Sequence, residues 1–566
     1  MPDTPEQAYE SILGKCRPLD GPERQPGTFE IGLVLAGAVS AGAYTAGVLD
    51  FLIEALEAWY ADKQDGKDVP RHEIKIRVIA GASAGAITGA ITATALRYQF
   101  PHCRASSIPT VPGPTNPLFD AWVEDIDIRQ LLTQNDLADG AAPQSLLDST
   151  CLSRIAAKAI DYAAAPFTPR PYLADPLKLI FTVTNLRGVP YSITMKGNAA
   201  DGHCMTAHAD WLRFAVVGLN GGSSSNPALC PDDILLTYPN SWALQAWQDL
   251  GHAALASGAF PFGLQPRMII RPIADYHYRY TIVPGDAGKP PSVAPLAPCW
   301  PATVPGPDYG ALHVDGGAMN NEPLELARRE LAGPRGRNPR EGDAAHRAVV
   351  MVDPFPDPAE LGPNHPTDLV GTAASLFVAW KEQARFTPEE IALAQDESIF
   401  SRFLISPSRG NGSTLSGGFA LASGALGGFS GFLHRQYRLH DYLLGRRNCQ
   451  QFLQKHFTLP DTNPLFALGS AATGKELPII PLVRALATVQ EPLPAWPVGV
   501  FSARSIRDDL GARLKAVVDA QLKARLGWWT RHFLKLAIWL FRLRKRLLIA
   551  IVDKIDQELR LRKLLP

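Results

Sequence analysis

The chain has 566 residues, 46% of them hydrophobic, with 55 Lys+Arg against 55 Asp+Glu. That length suits two or three domains, or one large domain with additions, built around a substantial core. A net charge of zero excludes nucleic-acid binding driven by the charge of the molecule as a whole.

The charge is unevenly spread. Residues 521–566 hold 12 Lys or Arg against 3 Asp or Glu, a net of +9, so residues 1–520 sum to −9. The seven cysteines, at 16, 103, 151, 204, 230, 299 and 449, form no C-x-x-C and no zinc-spaced set with histidine. They read as reduced thiols of a cytoplasmic protein, and no metal site is expected. Met1–Glu6 has neither a basic n-region nor an apolar h-region, so no secretory signal is expected. No uncharged apolar run approaches bilayer-spanning length.

Residues 1–27 are polar and carry several prolines, a partly ordered lead-in. Residues 28–98 read strand, turn, helix, strand, turn, helix, the pattern of an α/β fold on a parallel sheet. The first turn is Ala36-Gly37-Ala38-Val39-Ser40-Ala41-Gly42. Small residues there leave backbone N–H groups pointing outward, as in phosphate-cradling loops. A nucleotide-binding loop or a plain connection are the alternatives. However, Val39 occupies the second glycine position of G-x-G-x-x-G, and no Walker lysine follows. An oxyanion hole needs only N–H donors and fits better.

The second turn is Gly81-Ala82-Ser83-Ala84-Gly85, between Ile74–Ala80, which alternates as a strand, and the small, apolar Ala86–Ala93. Strand, G-x-S-x-G, helix is the setting of a nucleophilic serine. A sharp turn requires small flanking residues, and the following helix presents its positive end to developing charge. A glycine-rich turn with an incidental serine is the bland reading.

Long Pro/Gly/Ser loops at 105–117, 219–232 and 284–310 read as lids or as surface insertions. Strands are expected at 178–185, 188–195, 268–273, 311–314 and 348–352. The fourth leads into His313-Val314-Asp315-Gly316-Gly317-Ala318-Met319-Asn320-Asn321-Glu322-Pro323. A carboxylate on a two-glycine turn lets another backbone approach closely, although Asp-Gly is also an ordinary turn. His313 should face the same side as Asp315, as a core, cleft or catalytic histidine. The proline-rich stretch 354–366 marks a domain boundary, and helical sequence follows. Within it, 414–431 is a glycine-rich interruption suited to tight helix packing or to a linker. In 528–552, Arg531, Lys535, Arg542 and Arg546 share a helical stripe, with three tryptophans nearby and Arg544 opposite. This helix either packs internally or lies on an anionic lipid surface.

Together, the Gly37 turn, the Ser83 elbow and Asp315-Gly316-Gly317 resemble the patatin-like phospholipases. That resemblance spans about residues 28–360, with looser likeness at Leu118–Ile126 and Ala254–Pro261. The tract Gly431–Arg446 is similar to the C-terminal part of longer bacterial members. It implies a three-layer α/β/α domain with a mainly parallel sheet at 28–360, after the 1–27 lead-in. A helical region at 361–566 would follow, ending in the basic tail 521–566. It implies a lipid acyl hydrolase of phospholipase A or lysophospholipase type, acting on phospholipid or other acyl-ester lipid without a cofactor. Ser83 would be the nucleophile and Asp315 its base. Backbone N–H groups of Gly37, Ala38 and Val39 would form the oxyanion hole, with Gly81 and Gly85 flanking the elbow and Gly316 and Gly317 turning the chain after the acid. The family's first loop carries an arginine where Ala41 stands, a departure that bears on phospholipid preference more than on hydrolysis. Peripheral membrane contact through the basic tail is expected, and oligomeric state is left open.

A lone carboxylate, with a pKa of roughly 4 in water, is a weak base for serine. A dry cleft raises its basicity and strengthens the oxyanion donors. Two rival readings remain. One is a Ser–Asp–His hydrolase using His365, His434 or His440. The other is a non-catalytic lipid-binding or scaffold protein.

Overall fold

The computed structural model describes residues 5–108, 116–137, 142–164, 166–193, 203–221, 229–283, 306–356, 399–410, 415–466, 474–525 and 543–566, with scattered positions in 285–304 and 368–385. The strands that build the site are Thr28–Leu35 (β1), Glu73–Gly81 (β2), Leu173–Ile193 (β3), His203–Val216 (β4), Asp233–Leu236 (β5) and Arg267–Pro272 (β6). Tyr280–Val283 (β7) and Ser292–Pro295 (β8) form a separate hairpin. Asp308–Asp315 (β9), Arg347–Val352 (β10) and Arg402–Ile405 (β11) complete the set used here. The main helices are Pro5–Leu13 (α1), Gly42–Gln64 (α2), Ala84–Ala95 (α3), Thr150–Ile160 (α4), Gln245–Ser257 (α5), Leu324–Ala332 (α6), Arg435–Lys455 (α7), Arg507–Arg525 (α8) and Leu543–Leu561 (α9).

A nine-stranded sheet runs β11-β10-β1-β2-β3-β4-β5, with β9 also on β3 and β6 on β9. The pairs β11–β10, β10–β1, β1–β2, β2–β3 and β4–β5 are parallel. Strand β3 is antiparallel to β4 and β9, and β6 to β9. β1 is buried along its whole length, as its apolar run requires of a strand covered on both faces. One face carries α2, α3, α5 and α7 in a single apolar cluster, including Tyr44, Phe51, Trp59, Ile91, Trp247 and Tyr442. The other carries α6, whose Leu326, Ala327 and Leu331 pack on Val34, Val78, Ala80 and Val349. This is a three-layer α/β/α domain followed by a helical C-terminal region.

That C-terminal region is welded to the sheet domain. Strand β11, beyond the expected boundary, extends the sheet, and α7 lies against α2. The two helices touch through glycines: a Cβ on Gly47 would sit 1.9 Å from the Tyr442 carbonyl oxygen, and one on Gly445 would sit 2.2 Å from that of Tyr44. The fully buried Arg446 of α7 joins Asp50 and Glu54 of α2 and also Glu491. α2 is long and apolar enough to cross a bilayer, but its surface is spent on this packing. Helices α8 and α9 pair, and Phe501, Ile506, Val552, Ile555, Leu559 and Leu564 form a second buried cluster with Ala422, Leu433 and Tyr437. One face of the last half of the basic tail, at Val552, Ile555 and Leu559, is therefore packed against the rest of the chain, while Lys545, Arg546, Lys554 and Arg560 stay exposed. Residues 526–542, with the tryptophan-rich stripe, lie outside the described residues, as do much of the boundary 354–366 and parts of the three long loops.

Two sequence expectations are corrected. Cys16 and Cys230 form a disulfide, so not all the thiols are reduced; their separation of 214 residues leaves no local signal. The two strands expected at 178–185 and 188–195 are one strand, β3, whose register on β4 shifts between Thr184 and Val189. The lead-in contains α1, with Leu13 buried, and Arg17 pairs with Asp232 at 2.6 Å.

Candidate active site

Ser83 lies between the end of β2 and the start of α3, at φ 51° and ψ −123°. A non-glycine residue there is strained and persists only where its surroundings enforce it. They do so by crowding. A Cβ on Gly85 would lie 2.0 Å from the Leu35 carbonyl oxygen, and one on Gly81 would lie 2.7 Å from the Ala86 nitrogen. The Ser83 N–H donates to Ser257 Oγ at 2.8 Å, tying the elbow to the last residue of α5. Sequence reasoning assigned Ser257 no role; its only signal was the loose likeness of the Ala254–Pro261 segment.

Asp315 ends β9, which the β3 register sets opposite Val183. Its Oδ2 accepts from Ser83 Oγ at 3.0 Å, and its Oδ1 accepts from the Gly317 N–H at 2.7 Å. The Asp315 N–H donates to the Ala259 carbonyl, and Thr184 Oγ1 donates to the Asp315 carbonyl. Ser83 and Asp315 are only 5% and 6% exposed, so this pair is largely withdrawn from water. Gly316 and Gly317 pack too closely for side chains, against Thr182 and Asn321 respectively.

The first loop lies beside them: a Cβ on Gly37 would be 3.0 Å from Ser83 Cβ. Val39 takes φ 50°, a costly conformation for a β-branched residue. The Gly37 N–H differs from expectation, because it donates to the Asn321 carbonyl at 3.2 Å and is not free for an oxyanion. The Ala38 and Val39 N–H groups have no acceptor among the described residues. The loop's far side is held from the C-terminal region. Ser40 Oγ donates to the Gly428 carbonyl and accepts from the Gly431 N–H at 3.0 Å. Arg438 in turn donates to the carbonyls of Gly431, at 2.7 Å, and Val123, at 3.0 Å. Ala41 is fully buried, and the loop is anchored through Ser40 and residues 428–438.

From Ser83 a cleft runs past Val39, Ile87, Trp122, Leu255 and Phe260. It continues along α3 and α4 past Ile91, Leu152, Ile155, Ala159 and Ile160. Ile87, Trp122, Ile126, Leu152 and Leu255 line both stretches, which makes one apolar groove.

The histidines of the rival triad are engaged elsewhere. His440 sits between Asp441, at 2.7 Å, and Arg409, at 2.6 Å. His434 caps α7 by accepting from the Gln436 N–H. His313 is buried, with Nδ1 on the Ala311 carbonyl and Nε2 3.9 Å from Asp210. His365 lies outside the described residues. Among the described residues, no three His, Cys, Asp or Glu side chains are grouped as a metal site requires.

A protein of Sinorhizobium fredii (strain NBRC 101917 / NGR234), described as uncharacterized protein y4iI, is 35% identical over 517 residues, which cover 83% of this chain and 72% of that one. Among solved structures, the crystal structure of VipD from Legionella pneumophila matches 75% of this chain and 67% of that chain at 12% identity, with a TM-score of 0.23. The sequence model of the patatin-like phospholipases matches residues 33–328, more than half of the chain. The chain belongs to the patatin-like phospholipase family.

Proposed function

We propose that the protein hydrolyses acyl esters of lipids, as a phospholipase A or lysophospholipase, through a Ser83–Asp315 dyad. The single observation that carries this reading is the Ser83 Oγ to Asp315 Oδ2 hydrogen bond of 3.0 Å in a buried, apolar setting. In the first step Ser83 Oγ attacks the ester carbonyl carbon while its proton passes to Asp315. The carbonyl oxygen becomes an oxyanion, held by the Ala38 and Val39 N–H groups. Collapse breaks the ester C–O bond, and the leaving alkoxide takes the proton from Asp315. Water then gives a proton to Asp315 and attacks the acyl-serine. Release of the fatty acid returns that proton to Ser83. Burial supports the scheme, because a carboxylate in a dry site is a stronger base than one in water. The groove along α3 and α4 suits an acyl chain.

Membrane contact belongs to the same reading, because a lipid substrate must be drawn from a surface. Its support is the net +9 of residues 521–566. A fluorophosphonate probe and a lipid panel test the proposal. Wild-type protein should be labelled and should release fatty acid, and Ser83→Ala should do neither. Equal hydrolysis by Ser83→Ala would overturn it. Vesicle binding without hydrolysis by the wild type would favour a lipid-binding scaffold instead.

A further inference from the structure

Six residues beyond Asp315 the chain makes a second connection to the first loop. Asn321 holds Gly37 at both ends: its carbonyl accepts from the Gly37 N–H at 3.2 Å, and its Nδ2 reaches the Gly37 carbonyl at 3.4 Å. The same Nδ2 donates to Glu322 Oε1 at 2.7 Å. Glu322 is 2% exposed, and its Oε2 has no hydrogen-bond partner among the described residues. Arg385 donates to Glu322 Oε1 at 3.0 Å, to Asp353 Oδ2 at 3.1 Å and to the Phe355 carbonyl at 3.0 Å. Asp353 follows β10, whose last residue, Val352, accepts from the Ala36 N–H at 3.0 Å. The chain Arg385–Glu322–Asn321–Gly37 thus brackets the loop that carries the free Ala38 and Val39 N–H groups.

We infer that Glu322 is a positioning residue for the oxyanion loop: ionised, it fixes Asn321 and through it Gly37–Val39, and protonated, it releases them. The inference rests on the reading of that loop as the oxyanion hole. A hydrogen bond to a carboxylate is about twice as strong as one to a neutral acceptor, so loss of the charge loosens Asn321. Among the described residues, the charged groups facing Glu322 are Arg385 and Asp353, with Glu382 behind Arg385 at 3.5 Å. Burial raises the Glu322 pKa, Arg385 opposes the rise, and Asp353 adds to it, leaving the group at about 7. The switch therefore falls near neutral pH.

Two readouts test this. In the wild type, kcat on a soluble ester should rise through a limb near pH 7 with KM unchanged. Glu322→Gln keeps the shape, and should lack that limb and show a kcat at pH 8 lower by roughly 10- to 100-fold. Arg385→Gln removes the group that holds the Glu322 pKa down, so it should move the limb to higher pH. A purely structural loss would leave the midpoint in place. In the second readout, the backbone amide resonances of Gly37 and Ala38 in selectively labelled protein should titrate near pH 7 in the wild type and not in Glu322→Gln. The amide readout is independent of activity. If the wild type hydrolyses nothing while the amides still titrate, the hydrolase reading fails and the clamp stands. If Glu322→Gln keeps the wild-type limb, or if the amides show no titration in the wild type, the inference is overturned.

Discussion

Asp315→Asn is the sharpest perturbation of the proposed dyad, because it changes chemistry and almost nothing else. In the wild type one carboxylate oxygen accepts from Gly317 at 2.7 Å and the other from Ser83 at 3.0 Å. The Gly317 N–H can meet only an acceptor, so the asparagine places its oxygen there and its NH2 toward Ser83. Ser83 Oγ then receives a hydrogen bond instead of giving one, and its proton has no base. The geometry is kept, and reversing the Ser83 hydrogen bond changes stability by about 1 kcal/mol. The rate loses the contribution of a positioned general base, roughly 10²–10⁴-fold, equivalent to about 3–5 kcal/mol of transition-state stabilisation. The assay is kcat/KM on a soluble ester, paired with a thermal melt of the same preparations. More than a tenth of wild-type kcat/KM, with the melt unchanged, would refute Asp315 as the base.

Three further outcomes follow from the same geometry. Ser40→Ala strands the buried Gly428 carbonyl and Gly431 N–H, at roughly 1–3 kcal/mol each. Urea melts should show a loss of about 2–6 kcal/mol for the two groups together, and ester kinetics a lower kcat; a wild-type kcat would mean that residues 428–431 do not hold the loop. Ala159→Trp fills the groove beyond Ile155, so kcat/KM should fall at least tenfold for long-chain esters and stay within twofold for a short-chain ester. Equal loss on both would refute the groove as the acyl site. Glu322 also affects stability. Its pKa rises from 4.5 to about 7 on folding, so the folded state binds the extra proton and stability falls as pH climbs from 4.5 to 7. Above pH 7 the accumulated cost is about 3 kcal/mol. Glu322→Gln should therefore gain stability over wild type between pH 5 and pH 8 in urea denaturation, and a constant difference across that range would refute the shift.

The sequence alone determined what short-range geometry controls. Residues 28–98 were legible because a strand, a small-residue turn and a helix follow one another within the reach of local sterics. Gly81 and Gly85 announced a sharp elbow because nothing larger fits against Ala86 and Leu35. β10 and the end of β9 were visible as apolar runs. Tertiary structure decided whatever joins distant segments, since such contacts leave no period in the chain. β4, mostly exposed along its first seven residues, was not expected as a strand, and the short β11 lies where helix was expected, because their partners are chosen across the sheet. The hydrogen bond between Ser83 and Asp315 spans 232 residues and exists only because β9 returns antiparallel on β3. The Cys16–Cys230 disulfide and the Ser40 clamp on Gly428 and Gly431 are equally remote. The sequence proposed three oxyanion donors; only folding could commit Gly37 to Asn321 and leave the next two N–H groups free, because which donors stay unpaired is settled by what packs against them.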